Sequence, residues 1–121
     1  SFIFYLRNYM LKIFFISAFL IVTLISCSNS VEPFNYERDT PQWLKLKIDS
    51  LDVEPNYAGT TVYRYEWHTQ FVYHISIPIS SCAYCLVYEQ NGDLIIFEDS
   101  NTVNDFHNNK KNQVIVWQNG F

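Results

Sequence analysis

Residues 13–25 (IFFISAFLIVTLI) form an almost wholly apolar run, with Lys12 before it and Ser26-Cys27 after it. The run is short for a transmembrane helix, which needs about 20 apolar residues, and it suits the hydrophobic stretch of a signal peptide. Extending it back to Ser1 would place Arg7 and Lys12 in hydrocarbon, at about 2.5–3.5 kcal/mol per charge. Met10 opens MLKIFF, a well-formed start to such a signal, so residues 1–9 are expected to lie upstream of the true start. A helix across residues 1–26 then belongs to targeting. The competing readings are an uncleaved anchor and a buried core helix. On the first reading, the fold must be built from the 95 residues that remain.

Leu24-Ile25-Ser26-Cys27 resembles the lipobox of bacterial lipoproteins. It has a branched aliphatic residue three before the cysteine and a small residue just before it. The resemblance implies cleavage before Cys27 and a diacylglycerol on its sulfur. Ser28, in place of aspartate, resembles the outer-membrane sorting pattern. The expected address is therefore the cell envelope, lipid-anchored at the outer membrane.

After residue 26 the chain carries six basic and twelve acidic side chains, a net charge of −6. No basic patch is visible, so nucleic acid is not an expected partner. Anionic lipid would repel this surface, so membrane attachment must come from the lipid on Cys27. The same stretch holds three tryptophans, seven tyrosines and five phenylalanines. Each can bury about 150–250 Å², which supports one folded domain rather than a disordered tail. Its size predicts a single modest core.

Residues 27–39 are polar and turn-rich and read as a lipidated tether, with Phe34 and Tyr36 able to dock on the domain that spans 40–121. Thr40-Pro41 suits the cap and first position of a helix. Leu44, Ile48 and Leu51 recur at i, i+4 and i+7, one apolar stripe. Leu44, Leu46 and Ile48 also alternate as in a strand, but the cap favours helix, ended by Pro55-Asn56. Residues 60–67 (TTVYRYEW) and 71–78 (FVYHISIP) are rich in β-branched and aromatic residues and predict a hairpin. A three-residue loop, His68-Thr69-Gln70, would pair Tyr65 with Tyr73 and gather Tyr63, Trp67, Phe71 and Ile75 on one face. A two-residue loop would pair Tyr65 with Val72 and turn every side chain over. The larger apolar set favours the first.

Residues 84–90 and 93–98 flank Asn91-Gly92, the strongest short hairpin signal, and a type I′ turn there would pair Tyr88 with Ile95 and Leu86 with Phe97. Both faces of this hairpin are apolar, so it should be central and covered on both sides. Residues 101–112 read as a short helix or ordered loop, and 113–117 as a last strand. The expected fold is α+β: one main helix on an antiparallel sheet of about five strands built from two hairpins, preceded by the signal helix.

Cys82-Ala83-Tyr84-Cys85 is the one motif of the domain that could carry chemistry. As a redox pair it would want a helix after its first cysteine, and a strand pattern follows instead. As a zinc site it lacks two ligands, for which His68, His74 and His107 are the candidates. A structural disulfide fits an exported chain, since a lipidated Cys27 leaves an even pair. In an extended strand the two Cα atoms would be about 10 Å apart, beyond the roughly 7 Å limit, so a bond demands a tight turn at 82–85. His68 and His74 share parity and read as structural. Arg64, Glu66 and His74 could form a cross-strand polar group. Glu98, Asp99 and Asp105 lack the alternating spacing of a calcium loop. No pattern assembles a nucleophile, a base and an oxyanion donor, and none calls for a cofactor.

The stretch TVYRYEWHTQFVYHISIPISSCAYCLVYEQNGDLI resembles a small domain of envelope lipoproteins from Gram-negative bacteria. There an aromatic hairpin precedes a cysteine-containing turn and an Asn-Gly hairpin. The resemblance spans about residues 40–118 and implies a fold and an anchor, with no catalytic residues. The functional expectation is a non-enzymatic interaction module, held to the membrane by the lipid on Cys27 and binding an envelope protein or ligand. The alternatives are a thiol-redox or metal-handling protein built on Cys82 and Cys85, and an inhibitor of an envelope enzyme that uses its hairpin tips.

Overall fold

A computed structural model of the protein describes residues 2–24 and 31–120. Ile25, Ser26 and Cys27 of the lipobox lie outside the described residues, as do 28–30 of the expected tether. The chain divides into two units, Ser1–Pro33 and Phe34–Phe121. The first contains helix α1 (Phe2–Leu24). Among the described residues, no helix is long and apolar enough to cross a membrane.

The second unit is α+β. Its elements are α2 (Tyr36–Asp39), α3 (Gln42–Asp52), a 3₁₀ turn (Pro55–Tyr57), β1 (Thr61–Trp67), β2 (Gln70–Ser76), β3 (Val87–Glu89), α4 (Ser100–Asn109) and β4 (Lys111–Gln118). The strands form one antiparallel sheet in the order β3-β2-β1-β4. The sheet has four strands, not five. Residues 93–98 make only the Tyr88–Leu94 bridge. Their neighbour β3 is three residues long, and the chain before it turns at 82–85 instead of running on as a partner strand.

Both faces of the sheet are covered. On one, Leu44, Ile48 and Leu51 of α3 pack with Val62, Tyr73, Ile75, Tyr88 and Val116, and Phe34 and Tyr36 dock at the margin. The apolar stripe read from the sequence is the buried face of α3. On the other, Phe106 of α4 packs with Tyr65, Val72 and Val87, supported by Trp67, Tyr84 and Phe97. The segment expected as a short helix or loop is thus a second covering helix. A sheet with two apolar faces needs a layer on each side, and the strands alternate between them.

The β1–β2 register differs from the expected one. Tyr65 pairs with Val72 and Trp67 with Gln70, so the loop is His68-Thr69 alone. Both residues are left-handed, with φ of 49° and 63°. A two-residue turn of this hand matches the twist of the strands it joins. With both faces buried, gathering the apolar side chains on one of them carries no advantage. Val62, Tyr73 and Ile75 serve the α3 face and Tyr65 and Val72 the α4 face.

The Asn91-Gly92 loop shifts the other way. Glu89 and Asp93 close a three-residue loop, with Glu89 N–H donating to Asp93 O over 2.8 Å and Gly92 N–H to Glu89 O over 3.0 Å. Of the loop residues only Gly92 is left-handed, at φ 97°. Asn91 instead uses its Oδ1 to accept from Asp93 N–H at 3.0 Å. This is a turn with a glycine bulge rather than type I′, and it pairs Tyr88 with Leu94 instead of Ile95. A Cβ on Gly92 would also come within 3.1 Å of the Trp43 ring. The hairpin was expected at the sheet centre; β3 lies at its edge, and β1 and β2 are central. Thr40 does not cap α3. Its N–H closes α2 on Tyr36 O, and its buried Oγ1 has no partner among the described residues.

Candidate functional site

After β2 the chain runs through a loop to β3, and Cys82 and Cys85 lie within it at disulfide distance. Their sulfurs are bonded and their Cα atoms are 5.6 Å apart. The tight turn that the geometry demanded is therefore present. Both cysteines are exposed. His74 of β2 ties the turn to the sheet by donating its Nε2–H to Ala83 O at 2.8 Å. Tyr84 packs into the α4 layer against Phe106 and Phe97, and its hydroxyl meets His107 Nδ1 at 2.6 Å.

A hollow of about 420 Å³ opens beside this turn. Its walls are the turn itself, residues 94–97 and Val103 of α4. Ile96 is 74% exposed and Leu94 48%. Ile95 and Phe97, between and after them, turn inward to the Phe106 cluster. The hollow is mostly apolar, with acidic residues at its ends: Asp93 before it and Glu98-Asp99 after it, all exposed.

The other candidate residues are drawn into separate structural contacts. His68 does not join His74. Its Nε2 meets Asp105 Oδ2 at 2.7 Å, and Asp105 also accepts from Trp67 Nε1 at 3.1 Å and Asn109 Nδ2 at 2.6 Å. The His68 bond first, then that of Asn109, holds the Asp105 carboxyl below the usual range. Asp99 caps α4, accepting from Thr102 N–H at 2.8 Å, which lowers its pKa too. The expected grouping of Arg64, Glu66 and His74 is not formed. The corrected register puts His74 opposite Tyr63, while Arg64 lies opposite Tyr73 on the other face. There the Arg64 guanidinium stacks on Phe71 and Phe34, 4.3 and 4.8 Å from their centroids. Glu66 accepts from Asn112 Nδ2 at 2.9 Å. Among the described residues, no group of three or more His, Cys, Asp or Glu side chains could hold a metal ion.

His74 is buried at the root of the site, and burial pushes its pKa below the usual imidazole value. The unfolded chain therefore binds more protons as the pH falls through about 6.5. The stability contributed by neutral His74 is present above that value and lost as the pH drops through the folded pKa. His74→Gln keeps a donor for Ala83 O and removes the titration. The urea midpoint of the wild type is expected to fall more between about pH 7.5 and about pH 5 than that of the variant. Equal falls would contradict this assignment.

The hollow could not be found from sequence, because it depends on the loop before β3 and the single-bridge segment after it coming together. The signal that was available is the apolar run Leu94-Ile95-Ile96-Phe97, which has no polar alternation although it sits next to a turn. No known family, curated protein or solved structure matches this chain.

Proposed function

We propose that the protein is a lipid-anchored, non-enzymatic binding module of the cell envelope, and that the hollow beside the Cys82–Cys85 turn is its ligand face. One observation carries the reading: exposed aliphatic side chains line an open apolar hollow of about 420 Å³ with a disulfide-closed wall. Ile96 and Leu94 stand exposed together at the hollow, and contiguous apolar surface of this kind marks interaction sites. The cysteines brace the wall. Their turn runs into β3, so no helix follows them in sequence as it does in thiolate-stabilising redox pairs. Anchoring through Cys27 follows from the lipobox resemblance and would hold the acidic domain close to the bilayer.

Site-specific photocrosslinking in intact cells tests the reading. A benzophenone side chain at position 96 is expected to give a discrete adduct, and one at exposed Ile115 of β4 is expected to give none. No adduct from position 96, or the same adduct from both positions, would overturn it.

A further inference from the structure

We infer that the free edge of residues 93–98 takes up an extended peptide, with apolar residues flanked by lysine or arginine, as an added strand of the sheet; this rests on the binding-module reading above. The backbone shows the vacancy. Asp93 O accepts from Glu89 N–H and Ile95 N–H donates to Val87 O, both at 2.8 Å, so Asp93 and Ile95 face β3. In an extended chain the groups of Leu94 and Ile96 then point the opposite way. Neither has a hydrogen-bond partner among the described residues.

The hollow borders the same segment, with the Cys82–Cys85 turn and Val103 as its other walls. Side chains of an extended segment alternate between faces, so a hollow on one face would collect every second residue. This one is lined by all of 94–97. An added strand would pair with the outward backbone groups while its side chains reach the hollow, as in strand-addition recognition.

Charge selects the occupant. Asp93 stands at one end of the apolar stretch and Glu98 and Asp99 at the other, all exposed. In an antiparallel pairing with a second copy, Asp93 of each chain would face the acidic end of its partner, and like charges across strands destabilise the pair. A peptide with basic residues at both ends meets opposite charge at both.

The test uses the full chain in lipid nanodiscs and dye-labelled peptides followed by fluorescence polarisation. The probe is Lys-Val-Thr-Val-Thr-Val-Lys, and the comparison peptide carries glutamate at both ends. The lysine peptide is expected to bind saturably and the glutamate peptide at least about tenfold more weakly. Ile96→Pro removes an outward N–H and leaves the inner bonds to β3, so it should weaken binding by roughly tenfold or more. The surface pair Asp93→Lys with Glu98→Lys should reverse the peptide preference and does not depend on tolerance of proline. Ile115→Lys, on the opposite edge of the sheet, should bind as the wild type does. Equal binding of both peptides, an unchanged preference in the lysine pair, or loss of binding in Ile115→Lys would overturn the proposal. So would dimerisation of the chain through position 94. Uptake of labelled decanoate without peptide would overturn it while leaving the binding-module reading intact. Absence of both ligands together with no crosslink from position 96 would remove both.

Discussion

Phe106→Ala is expected to cost about 3–5 kcal/mol of folding free energy, from a total that for small domains is about 5–15. Phe106 is fully buried. Its ring meets Tyr84 at 5.1 Å, Trp67 at 5.3 Å, Phe97 at 5.4 Å and Tyr65 at 6.2 Å between centroids. Three of these contacts are edge-to-face, a geometry worth about 0.5–1.5 kcal/mol each beyond burial. Phe106 is also the one buried side chain of α4. Without it, that helix is held by peripheral bonds such as Trp67 and His68 to Asp105. Tyr84 and Phe97, two walls of the hollow, would lose their backing, so the hollow should loosen with the core. Urea unfolding measures the loss. A change below about 1 kcal/mol would mean that α4 does not cover the sheet as described.

Leu44→Ala on the other face is expected to cost about 2–5 kcal/mol. Leu44 is fully buried and leads the α3 stripe into the cluster of Val62, Tyr73, Ile75 and Val116. Its neighbour Trp43 reaches further, with Nε1–H donating to Gln90 O at 2.9 Å and a ring edge-on to Tyr73. Loss of Leu44 therefore also weakens the clamp that α3 places on the Asn91-Gly92 loop. The two substitutions lie in separate clusters on opposite faces, so the double variant should lose nearly the sum of the two. A loss far from the sum would show that the layers communicate through the sheet.

The sequence was most legible where one physical signal dominated. The α3 stripe follows from apolar spacing alone, and the turn at Cys82–Cys85 from the reach of a disulfide. The strands of the first hairpin were also legible, but their register was not. For that hairpin a single apolar face favours the three-residue loop, whereas this sheet has a layer on each face. Phe106 stands with Val103, three residues before it, in an otherwise polar stretch, and that pair marks a short helix without showing that it covers a whole face of the sheet. Asn91-Gly92 marked a turn but not its length, since glycine serves a bulge as well as a type I′ turn. The ligand face was out of reach for a different reason. It comes from residues 93–98 lying outermost, beside the edge strand β3, which leaves the groups of Leu94 and Ile96 that face away from β3 unpaired among the described residues, and no local pattern encodes a segment's place in the sheet.

Amide hydrogen exchange at three consecutive residues tests the open edge most directly. In the free protein the amide of Ile95 should exchange slowly, because it is bonded to Val87 O. Those of Leu94 and Ile96 should exchange near the rate of an unstructured chain, and both should become protected when the lysine-flanked peptide is bound. Equal protection of all three amides in the free protein would show that this edge is already covered and would contradict the assignment of the ligand face.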